Sequence, residues 1–293
     1  MFGVRPGATL EFWGDFGPLA LKAVRQQMVE HCLCRRHINQ RVNRVRRIFK
    51  WGVENELVPP QILHGLQAVA PLKRGRTTAP ESKPVLPVPD ADVDAVLPHV
   101  SRQVAAMIEL QRLSGMRPGE VVLMRPSDID RSNPVWIYRP LKHKTAYQGH
   151  VREIYLGQKA QLILQPWLDR EPAAYCFSPR EAEAERNRQR RLNRRSPMTP
   201  SQSRRKSKAQ PKNAKRERYD RDSYRSAIEY AIAKVGVAHW HPHQLRHNCA
   251  TRIRRDFGLD AAQVILGHKS AAITEVYAEL DRTKAIGVVS QVG

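Results

Sequence analysis

Side chains suited to anion binding, proton transfer and nucleophilic attack lie in three separated segments of the chain. Residues 114–120 read SGMRPGE, directly after a predicted helix. Residues 243–247 read HQLRH and are followed by LGH at 266–268. The third segment is a single Tyr277, nine residues after that last histidine. Each segment is weak evidence alone, because a lone arginine is usually a surface residue and a lone tyrosine between apolar neighbours is usually core.

Together these side-chain types suit transesterification at a phosphate. Arg117 and Arg246 offer planar guanidinium groups that can grip two non-bridging oxygens, which lysine does less well. His268 would add a hydrogen bond to the same phosphate, and His243 suits proton transfer to and from Tyr277. A covalent tyrosine intermediate splits one displacement into two steps of nearly equal energy. The histidine-rich stretch has no acid or cysteine at ligand spacing, so the pattern does not favour a metal site.

The combination resembles the tyrosine recombinase (phage integrase) family. The family pattern is an Arg in a G-x-R-x-x-E turn, a Lys on a β-hairpin, an H-x-x-R pair, an L-G-H turn and a Tyr. All six positions are present here in family order: Arg117, Lys144, His243, Arg246, His268 and Tyr277, with Glu120 supporting the first arginine turn. Lys142 is an alternative hairpin lysine, but the Lys-Thr pair at 144–145 favours Lys144.

The resemblance implies a site-specific DNA recombinase and a role for each residue. Tyr277 would attack the scissile phosphate and form a 3′-phosphotyrosine, and Lys144 would protonate the departing 5′ oxygen. The bond energy stays in the phosphotyrosine, so the resemblance implies no ATP, no other cofactor and no metal. It implies double-stranded DNA as the partner, and a homotetramer on paired DNA sites.

Three other functions remain open at this point. A type IB topoisomerase-like enzyme uses similar chemistry as a monomer, although the separate helical unit and the L-G-H turn favour the recombinase. A DNA-binding relic without catalysis would need none of Arg117, Arg246 and Tyr277. A ribosomal or RNA-binding protein would share the basic charge but would not need this ordered set of residues.

The charge balance of the chain indicates a polyanionic partner. Its 293 residues include 50 Lys and Arg against 28 Asp and Glu, a formal net charge of +22. That excess points to nucleic acid first and to an anionic membrane second. No apolar run reaches the ~18 residues of a spanning helix, and the N-terminus lacks the features of a signal peptide. Four cysteines are too few for a disulfide framework, so we expect a reducing cytoplasm. The family resemblance adds the expectation of a bacterial protein associated with the nucleoid.

The N-terminal part is expected to form a small DNA-clamping domain. Residues 1–72 hold predicted helices at 19–30, 39–56 and 60–69, and they resemble the family's core-binding domain. This unit is shorter than is usual, which indicates that the chain begins within its first helix. The proline-rich residues 73–89 are predicted to be a linker. Candidate DNA contacts on the second helix are Arg41, Arg44, Arg47 and Lys50.

Residues 90–293 are expected to be the catalytic domain, mainly α with a small β-sheet. Two β-rich segments, 134–138 and 151–156, would form a hairpin. Asp90 is expected to cap the first helix, and Asp260 with Gln263 to form a capping box. The other predicted helices cover 159–168, 222–235 and 243–256, a short helix ending at Gly267, and a last one from Ser270 to about 283.

A basic insertion at 180–218 has no counterpart in the common family pattern. It contains 15 Lys and Arg against four Glu, a local net charge of +11, and almost no apolar residues. We expect a solvated insertion without regular structure in the free protein. A compatible interpretation is an arm that grips phosphates and becomes ordered on DNA. Its candidate contacts are Arg204, Arg205 and Lys206.

Overall fold

The computed structural model describes residues 16–82, 84–141, 151–204 and 216–267. Five predicted site residues lie outside this part of the chain: Lys144, His268, Tyr277, Arg205 and Lys206. Contacts between Cα atoms divide the chain into two compact units, Met1–Pro84 and Val85–Gly293.

The described residues of the first unit form three helices around one apolar core. They are α1 (Pro18–Glu30), α2 (Arg35–Glu54) and α3 (Pro60–Gln67). The three predicted helices are therefore present, and α2 begins four residues earlier than expected. On α2 the apolar residues at helical spacing, Ile38, Val42 and Phe49, are buried, and they pack with Leu21 and Leu66. The arginines between them remain on the other faces, so the core forms without burying their charge.

The proline-rich segment 73–89 contains no helix or strand among its described residues. It is nevertheless held at both ends. Ala79 packs in the core of the first unit, where Glu81 Oε2 accepts a hydrogen bond from Arg35 Nη2 at 3.1 Å. Val88 packs in the core of the second unit. The prolines prevent a helix here, and each end of the segment packs in the core of its own unit.

The second unit is mainly helical and contains one three-stranded antiparallel sheet among its described residues. The sheet has the order β1 (Ile129–Asp130), β2 (Trp136–Tyr138), β3 (Ile154–Leu156). The predicted hairpin is confirmed, because Ile137 of β2 pairs with Tyr155 of β3. The two-residue β1 is too short to show alternation in the sequence, and it was not predicted.

The described residues of the second unit form helices that pack largely around one central helix. They are α4 (Asp90–Val96), α5 (Arg102–Ser114), α6 (Pro118–Val121), α7 (Gln158–Leu164), α8 (Pro179–Leu192), α9 (Pro200–Ser203), α10 (Arg221–Val235), α11 (His243–Phe257) and α12 (Leu259–Leu266). The central helix, α5, buries Met107, Ile108 and Leu110 completely. Each such side chain contributes about 1.5–3 kcal/mol of hydrophobic stabilisation. The segment that follows α5, which holds Arg117, is therefore attached to the most firmly packed helix of the unit.

The predictions for the N-terminal caps of two helices are wrong. Pro89 is the N-cap of α4, so Asp90 is already its first helical residue. Gly258 is the N-cap of α12, and Asp260 lies in the first turn without a side-chain capping bond. In both helices the carboxylate still interacts favourably with the positive end of the helix dipole. Gly267 ends α12 in the left-handed conformation (φ +63°), as the sequence predicts.

The expectation that 180–218 lacks regular structure is wrong for its first part, which forms α8. The acidic residues of α8 are concentrated in its first half, where two of them pair with cations of neighbouring elements. Glu181 pairs with Arg170 at 3.1 Å and Glu185 with Arg102 at 3.6 Å, and Ala182 between them is buried. The net charge of the whole insertion hides this division into an acidic half that faces the protein and a basic half that does not.

Candidate active site

Arg117 lies in a tight turn that Glu120 closes. The turn joins α5 to α6, and Arg117 is the extended residue immediately before α6. The Glu120 carboxylate accepts from the backbone N–H of Arg117 at 2.7 Å and from its Nη1 at 2.8 Å. Glu120 is buried, whereas 32% of the Arg117 side chain is exposed. The turn therefore fixes the guanidinium at its base and leaves part of it accessible to a ligand.

The buried Glu120 is kept ionised by its neighbours. Burial alone would favour the neutral acid, but the charge of Arg152 and the donors of Arg117 outweigh it, so the pKa of Glu120 lies below its usual value. Arg152 Nε is 3.7 Å from Glu120 Oε1. Tyr138 of β2 donates its hydroxyl to the backbone oxygen of Glu120 at 2.8 Å. The sheet thus stabilises the turn that holds Arg117.

Side chains of α11 donate hydrogen bonds to backbone carbonyls at the end of α5. The last carbonyls of a helix have no partner within it and need outside donors. Arg246, Cys249 and Arg252 follow each other at three-residue spacing, which places them on one face of α11. Arg246 Nη1, Cys249 Sγ and Arg252 Nη2 donate at 2.6, 3.5 and 2.9 Å to the carbonyls of Gly115, Leu113 and Arg112 respectively. This pairing brings the HQLRH segment to the SGMRPGE segment.

Arg246 also bonds the end of α12, where the LGH turn begins. Its Nη2 donates to the carbonyl of Leu266 at 2.6 Å, so one guanidinium joins the turn before Arg117 to the end of α12. Arg246 is fully buried. It fixes two turns and supplies a positive charge in a low-dielectric surrounding, where that charge acts strongly on a nearby anion.

Gly115 permits this close packing. Its φ of +65° is the left-handed conformation that glycine adopts most easily. A Cβ atom at this position would lie 2.6 Å from Leu266 Cδ2 and 3.1 Å from Cys249 Sγ. The glycine of the G-x-R motif is therefore required both by the backbone and by contacts with α11 and α12.

His243, the first residue of α11, is neutral at physiological pH. Burial, followed by the positive charges of His247, Arg246, Arg117 and His241, lowers its pKa from 6.5 to about 4. The same influence of Arg117 and Arg246 places all three residues in one electrostatic environment. A neutral imidazole can accept a proton, which suits it to assist a hydroxyl nucleophile.

Two positioning contacts of the site were not predicted from the sequence. Arg152 lies just before β3 and gave no signal, because its burial depends on the tertiary fold. Gln111 gave a weak one, since it is a polar residue within the apolar helix α5. Its Nε2 donates to the carbonyl of Met116 at 2.9 Å, and its Oε1 accepts from Tyr224 at 2.8 Å. Gln111 thereby holds the residue immediately before Arg117.

The candidate DNA contacts that the structure describes lie on exposed surfaces. All four predicted cations on α2 are exposed, and Arg204 is exposed after α9. Beside Arg44 and Arg47, the apolar Ile48 and Trp51 line the same surface depression.

No metal site or membrane span is found in the described part of the chain. No group of three or more His, Cys, Asp or Glu side chains in residues 16–82, 84–141, 151–204 and 216–267 could hold a metal ion. Within those same ranges, no helix has both the length and the apolar character needed to cross a membrane.

Comparison with known proteins assigns the family. Residues 92–284 match the sequence model of the phage integrase family, which covers most of the second unit. The chain belongs to that family.

Two named relatives support this assignment. A Tyrosine recombinase XerC of Bifidobacterium longum subsp. infantis is 30% identical over 179 residues, which cover 60% of this chain and 43% of the relative. A Tyrosine recombinase XerC of Pseudomonas aeruginosa is 26% identical over 187 residues, which cover 62% of this chain and 49% of the relative. The chain therefore matches less than half of the length of each.

Solved structures show the same fold. The Tn1549 transposon integrase in complex with circular intermediate DNA aligns with a TM-score of 0.56 at 16% identity, over 92% of this chain and 82% of that one. A lambda integrase dimer bound to a COC′ core site aligns with a TM-score of 0.59 at 14% identity, over 93% and 82%. The mainly helical fold with a small antiparallel sheet is thus the tyrosine recombinase catalytic fold.

Proposed function

We propose that this chain is a site-specific DNA recombinase that cuts and rejoins strands through a 3′-phosphotyrosine. The observation that carries the proposal is the joining of the arginine motifs. Arg246 bonds the turn before Arg117 and the end of α12, while His243 beside them is neutral. Membership of the phage integrase family supports the same function.

The reaction assigns one task to each residue. The Tyr277 hydroxyl attacks phosphorus and passes its proton to neutral His243 as the new P–O bond forms. The bond to the 5′ oxygen breaks, and Lys144 protonates that oxygen. Arg117 and Arg246, with a hydrogen bond from His268, neutralise the charge on the non-bridging oxygens. Rejoining is the reverse, in which a 5′ hydroxyl attacks the phosphotyrosine.

Double-stranded DNA is the proposed partner. The first unit would act as the core-binding domain and contact phosphates through Arg41, Arg44, Arg47 and Lys50. The basic half of the insertion would add contacts, with Arg204, Arg205 and Lys206 as candidates. We further propose a homotetramer on paired DNA sites, located in the cytoplasm and associated with the nucleoid. The net charge of +22 supports a polyanionic partner.

The alternative functions explain the site less well. A binding relic needs cations at its surface, whereas Arg246 is fully buried and is held by two carbonyls. A type IB topoisomerase-like enzyme would relax supercoiled DNA as a monomer without a preferred sequence. A plasmid relaxation assay separates that activity from recombination.

Covalent trapping tests the proposal. The protein is incubated with a library of random-sequence duplexes nicked at varied positions. After cleavage beside a nick, the short strand piece that carries the new 5′ hydroxyl diffuses away and the adduct accumulates. Denaturing gels detect the adduct, and sequencing of the trapped DNA identifies the site. We expect Tyr277→Phe to abolish the adduct while affinity for the selected site stays within about twofold, because only the nucleophile is removed.

Tyr230→Phe is the matched control, because Tyr230 is an exposed tyrosine on α10. It should form adduct at the normal rate. Adduct formation by Tyr277→Phe would refute the assignment of the nucleophile.

A further inference from the structure

We propose that Arg152 is a positioning residue of the reaction, and this inference rests on the proposed function. One buried guanidinium fixes both the carboxylate that holds Arg117 and the end of α12 that precedes His268. Arg152 is not one of the motif residues identified from the sequence. It precedes β3, and only 7% of it is exposed.

Two contacts connect Arg152 to separate parts of the site. Its Nε is 3.7 Å from Glu120 Oε1, and that same oxygen accepts from Arg117 Nη1 at 2.8 Å. Its Nη1 donates to the carbonyl of Ile265 at 3.2 Å. A displacement of Arg152 would therefore reach Arg117 through Glu120, and would reach α12 directly.

The contact with α12 is one of two successive arginine bonds. Arg152 donates to the carbonyl of Ile265, and Arg246 donates to that of Leu266. Carbonyls at a helix end lack internal partners and carry partial negative charge, so both bonds are favourable. Gly267 then turns the chain directly against Arg152, since a Cβ at Gly267 would overlap Nη1. The two arginines thus fix the end of α12 and the position of Gly267.

Electrostatics favour an arginine at this position. A buried cation is tolerated only when it is paired, and here Glu120 is the partner. Lysine would keep the charge, but its single compact ammonium lacks the rigid fork that reaches two acceptors. We therefore expect Arg152→Lys to retain the fold while losing one of the two contacts.

A direct contact with phosphate is the competing role for Arg152. Its Nε and Nη2 have no hydrogen-bond partner within the described residues, although Nε lies at ion-pair distance from Glu120, and Arg117 is close enough to repel its charge. If Arg152 neutralises the phosphate, its replacement should matter less on a substrate whose phosphate is already neutral. If Arg152 positions other residues, the rate deficit of its variants should persist on that substrate. This difference provides the test.

The test measures single-turnover adduct formation at saturating nicked DNA for Arg152→Lys and Arg152→Gln. Misplacement of a reacting group by about 1 Å costs about 100-fold. We expect adduct formation to slow by about tenfold in Arg152→Lys and about 100-fold in Arg152→Gln, with DNA affinity within about threefold. Both deficits should persist on a substrate with a neutral methylphosphonate at the cleaved position. Arg139→Gln is the matched control, because it removes an arginine ion-paired to Asp130 and Glu153 on the same sheet, and it should react normally.

A second readout needs no cleavage. Backbone amide exchange in Arg152→Lys should accelerate both at 117–120 and at 265–267, and it should not change in Arg139→Gln. Normal exchange in these two segments would overturn the proposal, as would a wild-type rate of adduct formation in both Arg152 variants. Full recovery of Arg152→Gln on the methylphosphonate would show a direct phosphate contact instead. Absence of adduct in the unmodified protein bears on the proposed function, whereas the exchange experiment still decides the role of Arg152.

Discussion

At the scale of single residues, Arg117 and Arg246 should respond differently to removal, although both are proposed to act on the same phosphate. Removing one preorganised charge donor lowers a rate by about 10²–10³. We expect Arg117→Ala and Arg246→Ala to lose adduct formation by that order, with DNA affinity falling far less. Arg246→Ala also leaves two buried carbonyls without donors, so it should lower the free energy of unfolding by about 1–3 kcal/mol for each carbonyl.

Adduct kinetics on folded protein measure the loss of rate, and urea unfolding measures the loss of stability. Arg139→Ala again serves as a control for the removal of an ion-paired arginine. An affinity loss as large as the rate loss would mean that Arg117 and Arg246 are only phosphate-binding residues.

His243 should make folding stability depend on pH. Its pKa is about 4 in the folded chain against 6.5 ordinarily, so the unfolded chain takes up the proton first as pH falls. The contribution of His243 to stability is therefore fully present above pH 6.5 and decreases between pH 6.5 and about 4. Urea unfolding at several pH values should show a shallower decrease for His243→Gln than for the unmodified chain. His64→Gln, at an exposed histidine in the first unit, is the control. Equal pH dependence in all three proteins would contradict the assigned environment.

The sequence identified motif residues better than the residues that support them. Arg117, Glu120, His243 and Arg246 were found because the type and spacing of each residue belong to a short pattern. Arg152 was not found, because an arginine before a strand is buried only when distant segments close around it. The spacing of residues near Arg152 in the sequence does not predict that burial.

At the scale of elements, a substitution in the turn after α5 tests how tightly that turn packs against α11 and α12. Gly115→Ala must adopt a left-handed conformation, which costs about 1–2 kcal/mol, and it must also displace Leu266 and Cys249. Gly236→Ala is a matched control, since Gly236 has a φ of +81° and nothing within 4 Å of an added Cβ. Urea unfolding should show a larger loss of stability for Gly115→Ala. Equal losses would mean that the packing against α11 and α12 is looser than described.

The elements themselves were largely predictable, and the exceptions have physical causes. The β2–β3 hairpin and most helices of both units follow from apolar periodicity. Helix α8 was missed because the prediction used its net charge. The order of its charges matters more, since Glu181 and Glu185 lie where Arg170 and Arg102 can neutralise them.

At the scale of the whole molecule, the positive charge should make DNA binding strongly salt-dependent. Each phosphate neutralised contributes about −0.9 to the slope of log K against log salt. The second half of α8 and the turn after it expose Arg188, Arg190, Arg191 and Arg194. Replacing all four with Gln should flatten the slope by several units, while cleavage at low salt survives because the predicted catalytic residues lie elsewhere.

Binding titrations at several salt concentrations check this prediction. Asn187→Ala combined with Gln189→Ala alters the same helix without changing its charge, and it should leave the slope as it was. An unchanged slope in the fourfold variant would show that this part of the insertion does not contact DNA.

The bonding of α11 to the ends of α5 and α12 limits how parts can be exchanged between family members. Arg246, Cys249 and Arg252 match the carbonyl positions of one particular α5, and Arg246 also matches one particular α12. A chimera that imports residues 102–121 alone would present the host α11 with a foreign helix end. Residues 102–121 and 243–267 therefore form a single unit of exchange, although more than a hundred residues separate them in the sequence.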